Sequence, residues 1–215
     1  MIRLMASDLV VVIPGILGST LSKDGAAVWE PSTMGVLNAI RSVGRNLDAL
    51  ALPEGIGDDH PGDGVAATGL VQGFSLFPGI RFGGFGYRKL LAGLRQYRFG
   101  LIDDTPDKPG NLIEFPYDWR LSNRYSATRL KVVTETALAR WRSSDPSRGD
   151  ARVVFVCHSM GGLVARWYVE QLGGGEICRA IVTLGTPHRG ALNALTELVN
   201  GTEKGVSFLK KDLSP

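Results

Sequence analysis

The sequence predicts an α/β fold in which helices flank a mostly parallel sheet. Three short apolar runs, at 9–13, 152–156 and 177–184, are rich in β-branched residues, as in strands that are buried on both faces. Segments with helical spacing lie between these runs, and the alternation of strands and helices favours right-handed βαβ units. The 215 residues, 44% of them hydrophobic, are enough for one domain with a substantial core.

Each predicted element has its own local signal. The first strand, Leu9–Ile13, ends at Pro14 and Gly15, and 111–115 is a second, weaker strand candidate. The glycines at 173–175 end the last predicted helix, where glycine commonly caps a helix. Helical spacing occurs in three segments, namely Tyr87, Leu90, Leu91, Leu94 and Tyr97, then Val132, Val133, Thr136, Ala137 and Trp141, then Leu163, Val164, Trp167 and Tyr168.

One long segment, at about 20–82, departs from this alternation. Apolar spacing allows a helix over 36–50, a loop rich in Gly, Asp and Pro follows at 53–69, and 74–87 is aromatic and glycine-rich. Long irregular segments in compact domains are usually functional. We interpret this segment as an insertion after the first strand, at the sheet edge, within a single domain that spans 1–215.

Composition and charge argue against several classes of function. The net charge is +3 and no run of five like charges occurs, so nucleic-acid binding is not supported. No apolar run reaches the roughly 18 residues of a membrane span, and Asp8 interrupts the apolar N-terminal stretch, which argues against a signal peptide. The sequence therefore fits a cytoplasmic protein, but it fixes neither the location nor the oligomeric state.

No metal or cofactor site is predicted, because His, Cys, Asp and Glu show no metal-ligand spacing. Cys157 and Cys178 fall at opposite ends of two predicted neighbouring strands, roughly 16 Å apart. A disulfide requires Cα atoms within about 7 Å, so both cysteines are expected to be buried free thiols. Asp118 and Arg120 are expected to form a local ion pair, and Asp118 is not expected to be catalytic, because it precedes the serine discussed next.

The clearest chemical signal is the segment 152–162, RVVFVCHSMGG. A predicted buried strand runs into Ser159, two glycines follow Met160, and a helix begins at once. This pattern resembles the nucleophile elbow, G-x-S-x-G, in which a strained turn presents a serine at the carboxyl end of a sheet. Cys157 replaces the first glycine but is also small. The alternative is an ordinary strand-to-helix turn with Ser159 as the N-cap.

The loop after the first strand, VIPGILGS, is the second element of the candidate site. A backbone N–H of such a loop and the N–H after the serine can together stabilise the oxyanion of an acyl-transfer reaction. Met160 follows Ser159, and Leu17 is the predicted partner, with Ile16 as the second choice. A phosphate-binding loop fits less well, because Pro14 lacks an N–H and only two glycines match the fingerprint. A plain turn is a further alternative.

Together these motifs resemble the lecithin:cholesterol acyltransferase family, which includes lysosomal phospholipase A2 and phospholipid:diacylglycerol acyltransferase. The resemblance rests on VVIPGILGSTL, Trp29, FPYDWRLS at 115–122, VCHSMGGLVARWY and LGTPHRGAL at 184–192, and it spans about 9–200. It implies an α/β-hydrolase fold, acyl-ester chemistry and an insertion that helps to engage lipid. Aromatic residues of the insertion suit either lipid contact or a local core, namely Trp29, Phe74, Phe77, Phe82 and Phe85.

A serine nucleophile needs a histidine base and an acidic residue that orients the base, in the order Ser, acid, His in this fold. After Ser159 the only histidine is His188, which fits the loop GTPHRG better than the base, since the resemblance implies that the acid and the histidine lie further along the chain. His158 is expected to support the elbow by packing or hydrogen bonding, and His60 to be exposed. The α/β-hydrolase domain is therefore predicted to be incomplete at its C-terminus, and the isolated chain to hydrolyse little ester.

The sequence thus predicts a serine-dependent lipid O-acyltransferase, lipase or phospholipase that works through an acyl-enzyme on Ser159. Its expected partner is a lipid or acyl-ester substrate, and peripheral membrane contact is compatible with the sequence. Two alternatives stay open. The first is a generic esterase for small soluble esters, and the second is a non-catalytic, lipid-binding protein with the same fold.

Overall fold

The structure is a computed structural model that describes residues 7–31, 50–73, 86–96 and 101–191. Its strands are β1 (Leu9–Ile13), β2 (Ser19–Lys23), β3 (Ala26–Trp29), β4 (Val65–Leu70), β5 (Leu112–Glu114), β6 (Val153–His158) and β7 (Cys178–Leu184). Its α-helices are α1 (Arg88–Gln96), α2 (Asn123–Ser143) and α3 (Gly161–Gln171). Short 3-10 helices lie at Pro146–Arg148 and Gly174–Glu176.

The main sheet consists of parallel strands in the order β5-β1-β6-β7. Every residue of β1 is buried, which explains the uninterrupted apolar sequence LVVVI. Because the strands are parallel, their carboxyl ends lie at one edge of the sheet, where Ile13 pairs with Cys157 and His158 pairs with Leu184. The predicted α/β class with a mostly parallel sheet is confirmed.

Helices cover both faces of this sheet. On one face, Leu130 of α2 and Tyr168 of α3 are buried in the same apolar cluster as Phe155 of β6. On the other face, Leu91 of α1 is buried with Val10 of β1. The helices thus protect the strands from water on both sides and leave the carboxyl edge of the sheet for the loops.

The elements of the main sheet agree with the sequence predictions. β1, β6 and β7 occupy the three predicted apolar runs, and the weaker candidate at 111–115 contains β5. The three segments with helical spacing lie in α1, α2 and α3, except that Tyr97 is outside the described residues. Gly173, which follows α3, has a φ of +85°, as expected of a glycine that caps a helix.

β2, β3 and β4 form a second, antiparallel sheet in the order β3-β2-β4, within the segment predicted as an insertion. The prediction of a loop over 53–69 is wrong at its end, because β4 begins at Val65 and pairs with β2. The helix predicted over 36–50 lies outside the described residues except for residue 50. The aromatic segment 74–87 lies outside them except for residues 86 and 87, and this excludes Phe74, Phe77, Phe82 and Phe85.

Candidate active site

Ser159 lies in the turn between β6 and α3, at the carboxyl edge of the main sheet. Its φ is +49°, a left-handed conformation that is strained for serine. The turn is fixed on both sides, because the Ser159 N–H donates to Leu184 O over 2.9 Å and the Ser159 carbonyl accepts from the Gly162 N–H over 3.1 Å. A strand, a strained turn and a helix are the geometry that the elbow motif predicts.

Backbone segments approach each other closely around this turn. A Cβ added at Gly161 would lie 2.7 Å from Ile13 O. Real Cβ atoms essentially never come that close to an atom to which they are not bonded. A Cβ added at Gly162 would overlap the side chain of Thr186, in the loop after β7. The two glycines therefore allow the elbow and the loops after β1 and β7 to meet at one edge of the sheet.

Gly161→Ala is expected to lower the free energy of unfolding by about 1–3 kcal/mol, because the new methyl group overlaps backbone atoms that cannot rotate away. Urea denaturation measures the change. Gly93→Ala in α1 is the matched control, since a Cβ added there meets no described atom within 4 Å beyond its neighbours and its own helix backbone. Alanine at that helical position should raise stability by about 0.5–1 kcal/mol. Equal effects of the two substitutions would contradict the close approach at Gly161.

The loop after β1 brings the predicted oxyanion residues beside Ser159. A Cβ added at Gly15 would lie 2.9 Å from Ser159 Cβ, so the loop and the elbow are in contact. Leu17 has a φ of +61° and is 39% exposed. Among the residues that the structure describes, the N–H groups of Leu17 and Met160 donate no hydrogen bond. Ile16, the second choice, is exposed in the same loop.

Two tryptophans form hydrogen bonds with backbone carbonyl groups of this loop. The indole N–H of Trp29 donates to Leu17 O, and that of Trp119 donates to Ser19 O, each over 3.1 Å. The two indole rings meet edge to face, with centroids 5.6 Å apart. Trp29, for which the sequence allowed lipid contact or local packing, thus packs against the segment that carries the predicted oxyanion amide.

Two buried tyrosines form hydrogen bonds with the backbone of the same loop. The Tyr117 hydroxyl donates to Pro14 O over 3.0 Å, and the Tyr87 hydroxyl accepts from the Gly15 N–H over 2.8 Å. Burial raises the pKa of both hydroxyls, so both remain protonated at neutral pH. Sequence reasoning missed these roles. The specific motif FPYDWRLS was a signal for Tyr117, whereas Tyr87 was only an apolar member of a helical pattern.

The predicted ion pair between Asp118 and Arg120 is confirmed. Arg120 Nη2 lies 2.6 Å from an Asp118 oxygen, and Arg120 Nη1 lies 2.9 Å from an Asp63 oxygen. The Arg120 side chain is 3% exposed, so the guanidinium is a buried cation between two carboxylates. Burial acts to raise the pKa of Asp63, but the hydrogen bond from Arg120 leaves it below its usual value. The sequence did not indicate the contribution of Asp63.

The three histidines of the chain have different surroundings. His158 Nδ1 forms a hydrogen bond with the Tyr87 hydroxyl over 2.8 Å, which agrees with the predicted supporting role, and burial lowers the pKa of His158. His60 is exposed, as predicted, and its Nδ1 accepts from the Gly62 N–H over 2.9 Å. His188 is exposed in the loop after β7. His158 is thus the histidine within the elbow itself, and its described side-chain hydrogen bond is with Tyr87.

Both cysteines are free thiols, as predicted. The strand register pairs Val153 with Cys178 and Cys157 with Thr183, which separates the two cysteines along neighbouring strands. Cys157 is buried, and burial raises its pKa to about 12, so it acts as a small packing group in the elbow. Cys178 is only partly buried, so the prediction of burial is wrong for it, because β7 is the outer strand of the described sheet.

Within the described ranges, no group of three His, Cys, Asp or Glu side chains could hold a metal ion. In the same part of the chain, every helix is too short or too polar to cross a bilayer. Glu170, the first acidic residue after Ser159, pairs with Arg166 on α3 over 2.8 Å. This carboxylate is therefore engaged on a helix surface.

Comparisons with known proteins indicate a family and a fold. A family model described as Lecithin:cholesterol acyltransferase matches residues 106–213, which is half of the chain. A solved structure described as "The crystal structure of Tle4-Tli4 complex" is similar with a TM-score of 0.56 at 20% identity, over 89% of this chain and 48% of that one. The chain thus spans about half the length of that protein, and the likeness shows the fold. No curated protein sequence matches the chain.

Proposed function

Because the chain belongs to the lecithin:cholesterol acyltransferase family and has an α/β-hydrolase fold, we propose that it supplies Ser159 as the nucleophile of an enzyme that acts on acyl esters of lipids. The observation that carries the proposal is the strained turn at Ser159, with a φ of +49° and the loop after β1 in contact with it. Strain at a non-glycine residue is frequent at functional sites, because the surrounding structure must maintain it.

In the proposed reaction, Ser159 Oγ attacks the ester carbonyl carbon and its proton passes to a histidine. The N–H groups of Met160 and Leu17 stabilise the oxyanion of the tetrahedral intermediate, and the N-terminus of α3 adds its positive dipole. The bond between the carbonyl carbon and the alcohol oxygen then breaks, the alcohol takes the proton from the histidine, and an acyl-enzyme remains. Water or a second alcohol releases the acyl group as a fatty acid or a new ester.

The proposed proton acceptor is a histidine other than the three in this chain. His158 is bound to Tyr87, and His60 and His188 are exposed in loops. Glu170 and Glu176 lie between Ser159 and His188 in the chain, but Glu170 pairs with Arg166 on α3, and Glu176 precedes β7, at the opposite edge of the sheet from Ser159. The 215-residue chain alone is therefore expected to hydrolyse little or no p-nitrophenyl ester. Robust turnover by this chain that Ser159→Ala abolishes would show that the base lies within it.

Acyl-chain length tests the proposed class of substrate. The assay uses the longest natural form of the protein that contains these residues, with p-nitrophenyl butyrate, p-nitrophenyl palmitate and phosphatidylcholine vesicles. An enzyme for lipid esters should prefer palmitate by about tenfold or more in kcat/KM and release fatty acid from the vesicles. A preference for butyrate without release from vesicles would support a generic esterase. Vesicle binding without any turnover would support a non-catalytic lipid-binding protein.

A further inference from the structure

The hydroxyl of Tyr87 joins two parts of the candidate active site that are remote in the chain. It accepts a hydrogen bond from the Gly15 N–H and forms another with His158 Nδ1, each over 2.8 Å. The Tyr87 side chain is buried, and its ring meets the His158 ring edge to face, with centroids 5.9 Å apart. One buried oxygen thus contacts both the loop after β1 and the residue that precedes Ser159.

The loop residue that Tyr87 binds packs directly against the proposed nucleophile. A Cβ added at Gly15 would lie 2.9 Å from Ser159 Cβ and 3.1 Å from His158 Nδ1, so Gly15 packs against both residues. A Cβ added at Gly18 would lie 2.8 Å from Tyr87 Oη, so the far end of the loop is close to the same hydroxyl. Tyr87 therefore contacts the loop on both sides of the amide that is proposed to bind the oxyanion.

The hydrogen-bonding capacity of a tyrosine fits this arrangement. A hydroxyl can accept from one partner and donate its proton to another. Because the Gly15 N–H occupies an acceptor position, the hydroxyl proton can go to Nδ1 of a neutral His158, whose Nε2 then carries the ring proton. Burial lowers the pKa of His158 and raises that of Tyr87, so both groups are neutral near pH 7.

We propose that Tyr87 is a positioning residue for the reaction assigned above to Ser159, and this inference rests on that proposed function. Its hydroxyl fixes the loop after β1 against the elbow, so that the N–H groups of Leu17 and Met160 converge on one oxyanion. Oxyanion stabilisation depends on such geometry, since loss of one well-placed donor costs about 10²–10³ in kcat. Loosening of the loop leaves both N–H donors in place, so it should lower kcat by a smaller factor than removal of a donor does.

Tyr87→Phe removes the hydroxyl and keeps the ring. In the longest natural form of the protein, kcat for a soluble p-nitrophenyl ester should fall about tenfold to a hundredfold, while KM changes by less than about threefold. A loss confined to kcat separates positioning of the reacting groups from a change in substrate binding. Tyr125→Phe is the matched control, because the Tyr125 ring packs near His60, 5.7 Å away, and its kcat should change by less than about twofold.

Variants of His158 give a second, independent test. His158→Asn keeps an acceptor near the position of Nδ1 and should retain most of the parental kcat, whereas His158→Leu should lose as much as Tyr87→Phe. Because the two side chains act through one hydrogen bond, the double variant Tyr87→Phe/His158→Leu should lose no more than about threefold beyond the larger single loss. A double loss equal to the product of the single losses would overturn the proposal.

The outcomes distinguish this inference from the proposed function. A parent protein without Ser159-dependent turnover would overturn both. A parent protein with such turnover, together with a folded Tyr87→Phe variant of parental kcat, would overturn the positioning role alone. If circular dichroism shows that Tyr87→Phe does not fold, the contrast between His158→Asn and His158→Leu decides, and equal kcat values for these two variants would overturn the positioning role.

Discussion

Ser159→Ala is expected to lower kcat/KM for ester hydrolysis by about 10⁴- to 10⁶-fold, the range typical for loss of a serine nucleophile. The substitution removes the Oγ that would form the acyl-enzyme, while the backbone donors proposed for the oxyanion remain. Serine and alanine have similar strain at a φ of +49°, so the free energy of unfolding should change by less than about 1 kcal/mol. Steady-state hydrolysis of a p-nitrophenyl ester measures the loss in the longest natural form of the protein.

Ser143→Ala is the matched control for this substitution. Ser143 is exposed at the end of α2, where its hydroxyl donates to Arg140 O over 3.0 Å. Its replacement should leave kcat/KM within about twofold of the parent value. A Ser159→Ala variant that keeps more than about a tenth of the parental activity would show that another group attacks the ester.

Arg120→Met is expected to reduce the free energy of unfolding by about 3 kcal/mol. The Arg120 side chain is 3% exposed and the Asp118 side chain 8%, so the substitution leaves a buried carboxylate without its cation. Removal of one partner of a buried ion pair costs about 3–5 kcal/mol. Asp63, the other carboxylate that Arg120 contacts, is 18% exposed. Water can therefore solvate Asp63 in part when the guanidinium is removed, so we expect a destabilisation at the lower end of the range of about 3–5 kcal/mol.

Urea denaturation tests this expectation, with Arg129→Met as the matched control. Arg129 is exposed on α2, and its replacement should change the free energy of unfolding by less than about 0.5 kcal/mol. The folded-state pKa of Asp63 is below its ordinary value of 3.8, so its contribution is present above pH 3.8 and is lost as the pH falls through the folded pKa. The difference between parent and Arg120→Met should therefore shrink in acid. A constant difference would contradict the assigned ion pair.

The strands of the main sheet could be predicted because their surroundings are apolar on both faces. β1 and β6 lie between neighbouring strands, and their sequences are nearly continuous apolar runs. β4 could not be predicted, because its sequence VAATGL has small residues and little pattern. It forms by pairing with β2, where Ala67 lies opposite Leu21. A local pattern contains no information about so distant a partner.

The candidate site could be predicted as far as its constraints are local. A strained turn and close backbone approach restrict the residue types around Ser159 and Gly15, and these restrictions are visible in the sequence. Asp118 and Arg120 are two positions apart, so their pairing could also be anticipated. Tyr87 could not be identified, because its role depends on a contact with Gly15, 72 residues away. Only the folded chain brings that hydroxyl to the loop.

Covalent labelling with a fluorophosphonate probe shows directly whether Ser159 is the nucleophile. The probe reacts with activated serines, and peptide mapping by mass spectrometry identifies the modified residue. In the longest natural form of the protein, we expect one adduct on the peptide that contains Ser159, and none on that peptide after Ser159→Ala, while Ser143→Ala is labelled like the parent. Absence of the adduct from folded parent protein, or an adduct on a different serine, would contradict the assignment of Ser159 as the nucleophile.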